Sequence, residues 1–280
     1  MTGHTLFNLA FLSQIILISA LLPRTLYKRA CHLLKTYPAA EYPRLYPKGP
    51  GSYERGLRRF VSLNAAIFLV GIFFWVTFNL DATRDDYAGV AWGVFMLQSV
   101  PFVLLEVFTF RTWKLMREAD ARTTRKAELR PRRLTDAFSY LQMGLVASVF
   151  IAFCLFVNHI NQFGYPWFGG WLNVIIIGMG NLLLAGIVLW NLFGRKRDPY
   201  MEERDRLRRI RLMARQFVLV SVAVTVYATV TITLQAYELR EFKQLAMTLY
   251  AQLLALGCYF TIYADQGINF EVYRAEPVSN

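Results

Sequence analysis

Hydrophobic residues occur along this chain in long uninterrupted blocks rather than at alternating positions. The clearest block runs from Phe60 to Leu80 and contains no charged residue, with arginines before it and Asp81 directly after it. An α-helix rises about 1.5 Å per residue, so a block of this length spans about 30 Å, the thickness of the hydrocarbon core of a bilayer. The block therefore predicts a membrane-spanning helix.

Similar blocks recur and predict an all-α bundle of seven transmembrane helices that forms a single transmembrane domain over residues 1–280. The first block has basic residues after it and none before it, the reverse of a cleavable secretory signal, so we interpret it as an uncleaved anchor. Asn8, Ser13 and Gln14 dilute its apolar character. The predicted spans are 6–22, 60–80, 88–110, 137–157, 171–193, 217–236 and 245–263.

Basic residues are concentrated in alternate connecting segments. Nine lysines or arginines lie in each of the segments 23–59, 111–136 and 194–215, which together hold 27 of the chain's 31 basic residues. Cytoplasmic loops of membrane proteins carry such an excess, so we expect these segments in the cytoplasm, the N-terminus outside and the C-terminus inside. The net charge of +12 then indicates contact with the lipid bilayer and its anionic headgroups rather than with nucleic acid.

Two of the basic segments have distinct local patterns. Residues 37–47 contain three prolines, which exclude a regular helix. We interpret this Tyr–Pro strip as an ordered loop beside the membrane, with a polyproline-type docking strip as the alternative. Residues 202–215 carry acid-then-base pairs four positions apart, which predict a helix that continues into the span 217–236.

The Tyr–Pro strip and the segment Lys126–Leu134 resemble segments of uncharacterised polytopic proteins of the bacterial inner membrane. The resemblance implies that location, and it carries no activity.

One carboxylate and several amides lie inside the predicted spans and form the candidate polar site. Ionisable groups are costly in hydrocarbon and often functional, so Glu106 is interpreted as an ion-pair partner near the inner boundary or as a proton or cation site. Gln98, Asn181 and Gln252 lie near mid-membrane. They are interpreted as hydrogen-bonding groups between helices or, alternatively, as the lining of a shared polar cavity.

Small and hydroxyl residues suggest where helices pack. Gly89 and Gly93 form a Gly-x-x-x-Gly pair, and Gly178 and Gly180 adjoin Asn181; both pairs are candidates for close helix crossing, within the chain or in a homodimer. In the sixth predicted span Thr225, Thr229 and Thr233 lie four positions apart, and we expect their hydroxyls to bond back to their own helix.

No motif for catalysis, metal binding or a cofactor is present in the sequence. Cys31, Cys154 and Cys258 lack metal-ligand spacing, and the HExxH, Walker and Gly-x-Ser-x-Gly patterns are absent. The first functional hypothesis is therefore a non-catalytic membrane subunit, scaffold or assembly factor, with another membrane protein or a second copy as partner. A transporter or channel for a small solute or ion is the alternative, followed by a lipid-modifying membrane enzyme.

Overall fold

The computed structural model describes residues 3–80, 88–120, 132–194, 198–263 and 267–274. In these residues the regular structure is helical throughout and contains no β-strand, which confirms the all-α prediction. The acidic residues predicted to close the second span, Asp81, Asp85 and Asp86, lie outside the described residues, as does most of the segment Lys126–Leu134.

Long α-helices connected by short turns make up the described chain. A π-helical turn, Leu17–Leu21, joins the first two helices, and short 3-10 turns lie at Pro43–Leu45, Leu134–Asp136, Arg240–Phe242 and Phe270–Tyr273. The α-helices are α1 (Gly3–Ile16), α2 (Leu22–Thr36), α3 (Pro50–Leu80), α4 (Ala88–Glu118), α5 (Tyr140–Asn161), α6 (Trp171–Phe193), α7 (Glu203–Ala236) and α8 (Lys243–Tyr263).

Six helical segments of the described chain are long and apolar enough to cross a membrane, as expected of a multi-pass membrane protein. The first segment runs without interruption from α1 through the π turn into α2, and it contains the predicted span 6–22. The region predicted as the seventh span, 245–263, forms α8, but α8 is not among the six. The six segments are His4–Thr36, Pro50–Asn79, Gly89–Glu118, Tyr140–Asn161, Trp171–Phe193 and Glu203–Ala236.

Several predicted span boundaries coincide with helix ends, whereas α3 begins before its predicted span, at Pro50, and α4 continues beyond its predicted span, to Glu118. The predicted span 171–193 has the same bounds as α6, and the helix predicted over 202–215 continues into the next span as the single helix α7. The span predicted from residue 137 begins instead at Tyr140. Ser139 is the N-cap residue of this helix, because its hydroxyl accepts a hydrogen bond from the backbone N–H of Gln142.

The chain divides into two compact units, and the prediction of a single transmembrane domain stays a prediction. The α1–α4 unit comprises Asn8–Leu129, Lys196–Asp205 and Gly267–Asn280. The α5–α8 unit comprises Met1–Phe7, Arg130–Arg195 and Arg206–Gln266.

In the α1–α4 unit, α1 is the most deeply buried helix. Its residues Phe11 and Ile15 are almost completely buried, and so is Ile18 of the π turn that follows. Gly71 of α3 allows a close approach, because a Cβ atom at that position would lie 3.1 Å from the Ile15 side chain. Small residues at such crossings let helix backbones approach, so Gly71 fixes where α1 packs on α3.

In the α5–α8 unit, α8 runs antiparallel to α7 along most of its length. The rings of Tyr227 and Tyr250 stack with centroids 4.5 Å apart. Towards one end the Lys243 ammonium bonds to Gln235, and towards the other Leu219 packs directly over Gly257. The end of α7 thus contacts the start of α8, and earlier parts of α7 contact later parts of α8, as in an antiparallel helical hairpin.

Candidate functional site

A chain of three buried polar side chains links α1, the π turn and α4. The Gln14 Nε2 group donates to Gln98 Oε1 over 3.0 Å, and Gln98 Nε2 donates to Ser19 Oγ over 3.0 Å. All three residues are at most 4% exposed. Amide and hydroxyl groups in hydrocarbon require such partners, so these bonds fix the rotation of α1 against α4.

Two buried prolines flank this polar chain. Pro23 has no N–H to donate, and its ring crowds the preceding turn, which gives a physical reason for the wider π-helical turn at Leu17–Leu21. Pro101 lies inside α4, three residues after Gln98, and likewise leaves a backbone carbonyl without its usual donor. The site therefore combines side-chain amides with irregular helix backbone, as polar sites in transporters do.

The Gln14 Oε1 atom is buried without a hydrogen-bond partner among the described residues. An unpaired buried acceptor costs free energy until it receives a hydrogen bond, on the order of 1–3 kcal/mol. The arrangement can therefore accept a hydrogen bond from one small donor, such as water or a polar solute.

Further polar contacts secure the N-terminal end of α1 against α3. The Asn8 side chain donates to Asn79 Oδ1 over 3.0 Å, and the Trp75 indole donates to the Asn8 carbonyl over 3.1 Å. Sequence reasoning treated Asn8 and Gln14 only as residues that weaken the first span. Their contacts with other helices could have been expected, because polar side chains within an apolar block need hydrogen-bond partners from the protein.

The sequence-predicted site residues have different environments. Gln98 belongs to the polar chain, whereas Glu106, on the same helix, is exposed. In the α5–α8 unit Asn181 of α6 accepts a 2.7 Å hydrogen bond from the Ser221 hydroxyl of α7, and Gln252 is half-buried. Gln98 lies in one unit and the two other amides lie in the other, so their predicted convergence on one cavity stays a prediction.

The glycines predicted to mediate helix packing also differ. A Cβ atom on Gly178 would lie 3.3 Å from the Phe150 ring of α5, so α5 and α6 approach closely there. A Cβ atom on Gly89, Gly93 or Gly180 would meet no atom within 4 Å. The close crossing predicted at Gly89 and Gly93 is therefore not made within the described chain, and a dimer through them stays a prediction.

The threonine prediction is confirmed. The hydroxyls of Thr225, Thr229 and Thr233 donate to carbonyls four residues earlier in α7, at 2.8–2.9 Å. The stripe is thus satisfied within its own helix.

An aromatic cluster forms beside the Tyr–Pro strip in the α1–α4 unit. Tyr42 and Met116 are buried in it together with Tyr273 from the C-terminal 3-10 turn. The Tyr42 hydroxyl donates to Glu271 over 2.9 Å, and this hydrogen bond, followed by burial, raises the pKa of Tyr42 above its ordinary value. Burial likewise raises the pKa of Tyr46 in the same strip. The strip is therefore an ordered loop that packs on the chain's own C-terminal turn.

Two arginines hold the C-terminal end of α6 in the α5–α8 unit. The Arg206 guanidinium, 7% exposed, donates to the Gly194 carbonyl over 2.8 Å, and Arg132 donates to the Leu192 carbonyl over 3.0 Å. The last carbonyls of a helix lack donors and carry partial negative charge, so cations stabilise them. These two arginines thus have a structural role.

In the described part of the chain, no group of three or more His, Cys, Asp and Glu side chains is placed to hold a metal ion. No family model matches the chain, and the curated proteins and the solved structures yield no match either.

Proposed function

We propose that this chain is a non-catalytic subunit or scaffold of a membrane complex, located in a bacterial inner membrane, that binds a partner helix along the exposed face of α4. The single observation that carries this proposal is the position of Glu106.

Glu106 is an exposed carboxylate inside a predicted membrane span. It forms no hydrogen bond or ion pair with the part of the chain that the structure describes. Moving an acidic side chain into hydrocarbon costs up to about 3 kcal/mol at the centre of a span and less near its boundary, where Glu106 lies. A donor from outside the chain would remove that cost.

The surroundings of Glu106 support a helix as that donor. Phe108, two residues later and thus on the opposite side of α4, contacts the Tyr53 ring of α3 with centroids 5.4 Å apart. Val103, Val107 and Phe110 share the Glu106 side and are between 42% and 59% exposed. The face is an apolar surface with one carboxylate, which is complementary to an apolar helix that carries a basic or amide side chain.

Contacts between connecting segments support the seven-span topology on which this proposal rests. In the α1–α4 unit the Tyr–Pro strip, the end of α4 and residues 198–205 all contact the C-terminal turn. Segments in contact lie on the same side of a membrane, so the chain must cross the membrane an even number of times between them. The pair α3–α4 separates the Tyr–Pro strip from the end of α4, the pair α5–α6 separates that end from residues 198–205, and the pair α7–α8 separates those residues from the C-terminal turn. This arrangement makes α8 the seventh span and is consistent with the basic segments in the cytoplasm.

Photo-crosslinking in native membranes tests the proposal. We expect p-benzoylphenylalanine at Val103, 59% exposed, to form a discrete protein adduct, and the matched control at Leu69 of α3, 67% exposed, to form none. Glu106→Ala should abolish the adduct, and Glu106→Gln, which keeps an acceptor, should retain part of it.

A lone monomer after purification without overexpression, with no protein adduct at Val103, would contradict the subunit role. That result would favour a second candidate, a transporter for a small polar solute. The buried chain of Gln14, Gln98 and Ser19 beside the π turn supports this alternative. Solute flux into liposomes that is lost in Gln98→Leu would identify it.

A further inference from the structure

The C-terminal turn sits in an aromatic cradle built by three separate parts of the α1–α4 unit. The Tyr–Pro strip supplies Tyr37, Tyr42 and Leu45, the end of α4 supplies Trp113 and Met116, and the segment before α7 supplies Tyr200. We call these six residues the cradle. The cradle residues come from parts of the sequence far from the C-terminal turn.

Two aromatic side chains of the turn enter the cradle. Phe270 lies 4.5 Å from the Tyr37 ring by centroid distance, and Tyr273 is 3% exposed beside Tyr200. In a 3-10 helix, residues three positions apart lie on one face, so both rings point the same way. The Tyr273 hydroxyl donates to Asp198 Oδ2 over 2.5 Å at the base of the contact.

Polar groups fix the two ends of the turn. The Asn269 backbone N–H donates to Asp205 Oδ2 over 2.9 Å, and its side chain donates to Glu202 over 3.1 Å. At the other end Arg274 pairs with Glu41 at 3.9 Å, and between the ends Glu271 accepts from Tyr42. These contacts define both the register and the direction of the bound segment, and they are made by residues 269, 270, 271, 273 and 274.

We propose that the cradle is a peptide-recognition site for short turns of the pattern Asn-Phe-Glu-x-Tyr, and that the chain's own C-terminus occupies it in cis. A four-residue 3-10 turn has little stability alone, so its conformation depends on the cradle. Tethering gives the C-terminal turn an effective concentration in the millimolar range, which excludes weaker peptides supplied in trans. The site therefore opens to the same turn of a second copy of the chain when its own turn is released. This inference does not depend on a partner at Glu106.

Peptide binding to the full-length chain in nanodiscs tests the proposal. The probe is a fluorescent peptide of residues 267–274, and the chain carries Phe270→Ala with Tyr273→Ala, so that its own turn no longer fills the cradle. We expect this variant to bind the peptide at least tenfold more tightly than the unaltered chain does. A peptide with Tyr273→Phe, which cannot donate to Asp198, should bind about fivefold more weakly, and a scrambled peptide should not bind.

A second measurement keeps the test decisive if the double variant is unstable. A dye on the C-terminus of the unaltered chain should lose fluorescence anisotropy when millimolar peptide displaces the turn, and the scrambled peptide should have no effect. Equal binding of the matched and scrambled peptides would overturn the proposal. So would a folded double variant that binds no peptide, or a C-terminal dye that the matched peptide never releases.

Discussion

The helices α1 and α6 are similar in hydropathy but differ sharply in burial. The apolar stretch of the segment that contains α1 is 39% buried, whereas that of α6 is 6% buried. Hydropathy alone therefore predicts that both cross a membrane, but it does not distinguish the helix packed against other helices of the chain from the exposed one.

Their polar residues explain the difference. Asn8, Gln14 and Ser19 are buried and bond to α3 or α4. In α6, Asn191 bonds to the carbonyl four residues earlier, and Asn181 makes one bond to α7. Polar side chains that bond to other helices, rather than to carbonyls near them in their own sequence, thus mark the helix that is surrounded by others.

The largest expected effect is that of Gln98→Leu in α4. The substitution removes the partner of two buried groups, Gln14 and Ser19, and should lower the free energy of unfolding by about 2 kcal/mol. The matched control is Leu182→Ala on α6, 74% exposed, which should change the free energy of unfolding by less than about 0.5 kcal/mol. Reversible unfolding in mixed micelles measures the free energy of unfolding of both variants. An equal loss in the two variants would contradict the difference between the buried contacts of α1 and the exposed surface of α6.

Gly71→Leu should have the next largest effect. The added side chain would collide with Ile15 of α1, and overpacking of this kind costs about 1–3 kcal/mol; because the neighbour is a side chain, we expect about 1–2 kcal/mol. Gly93→Leu, which meets open space, is the control. If both variants melt at the temperature of the unaltered chain, α1 does not pack closely on α3 at Gly71.

A smaller effect is expected at the side-chain hydrogen bond between Ser221 of α7 and Asn181 of α6. Ser221→Ala removes the hydroxyl that donates to Asn181, and hydrogen bonds within membranes contribute about 0.6 kcal/mol on average. A double-mutant cycle with Asn181→Ala measures the coupling. A coupling of about 2 kcal/mol or more would place α6 with α1 as a helix held by polar contacts.

The smallest effect concerns alkaline pH at the aromatic cradle. The pKa of Tyr42 is raised above its ordinary value of 10.0, so the protonated hydroxyl favours the docked state. Its contribution is complete below pH 10 and is lost as the pH rises through the raised pKa. A C-terminal dye should therefore become more mobile above pH 10 in the unaltered chain, and this change should be smaller in Tyr42→Phe, which has no group to ionise there.

The sequence predicted features that depend on local pattern. The bounds of α6 follow from an apolar block between Gly170 and Gly194, and the continuity of α7 follows from its charge pairs. The start of α5 at Tyr140 follows from the capping box between Ser139 and Gln142, a local pattern that hydropathy does not register.

Contacts between distant residues could not be predicted. Gln14 and Gln98 are 84 positions apart, and no periodicity in the sequence relates them. The same holds for the C-terminal turn, whose partner Asp198 is 75 positions from Tyr273. Glu106 was found from its charge alone, but its outward direction depends on which side of α4 packs against α1 and α3.

Cysteine accessibility in intact cells tests the central claim, that the basic segments lie in the cytoplasm, most directly. Single cysteines at Lys114 and Gln162, in a chain whose Cys31, Cys154 and Cys258 are replaced by serine, would be treated with a membrane-impermeant maleimide. The account predicts that position 162 reacts in intact cells and that position 114 reacts only after the inner membrane is permeabilised. Labelling of position 114 in intact cells, with protection of position 162, would contradict it.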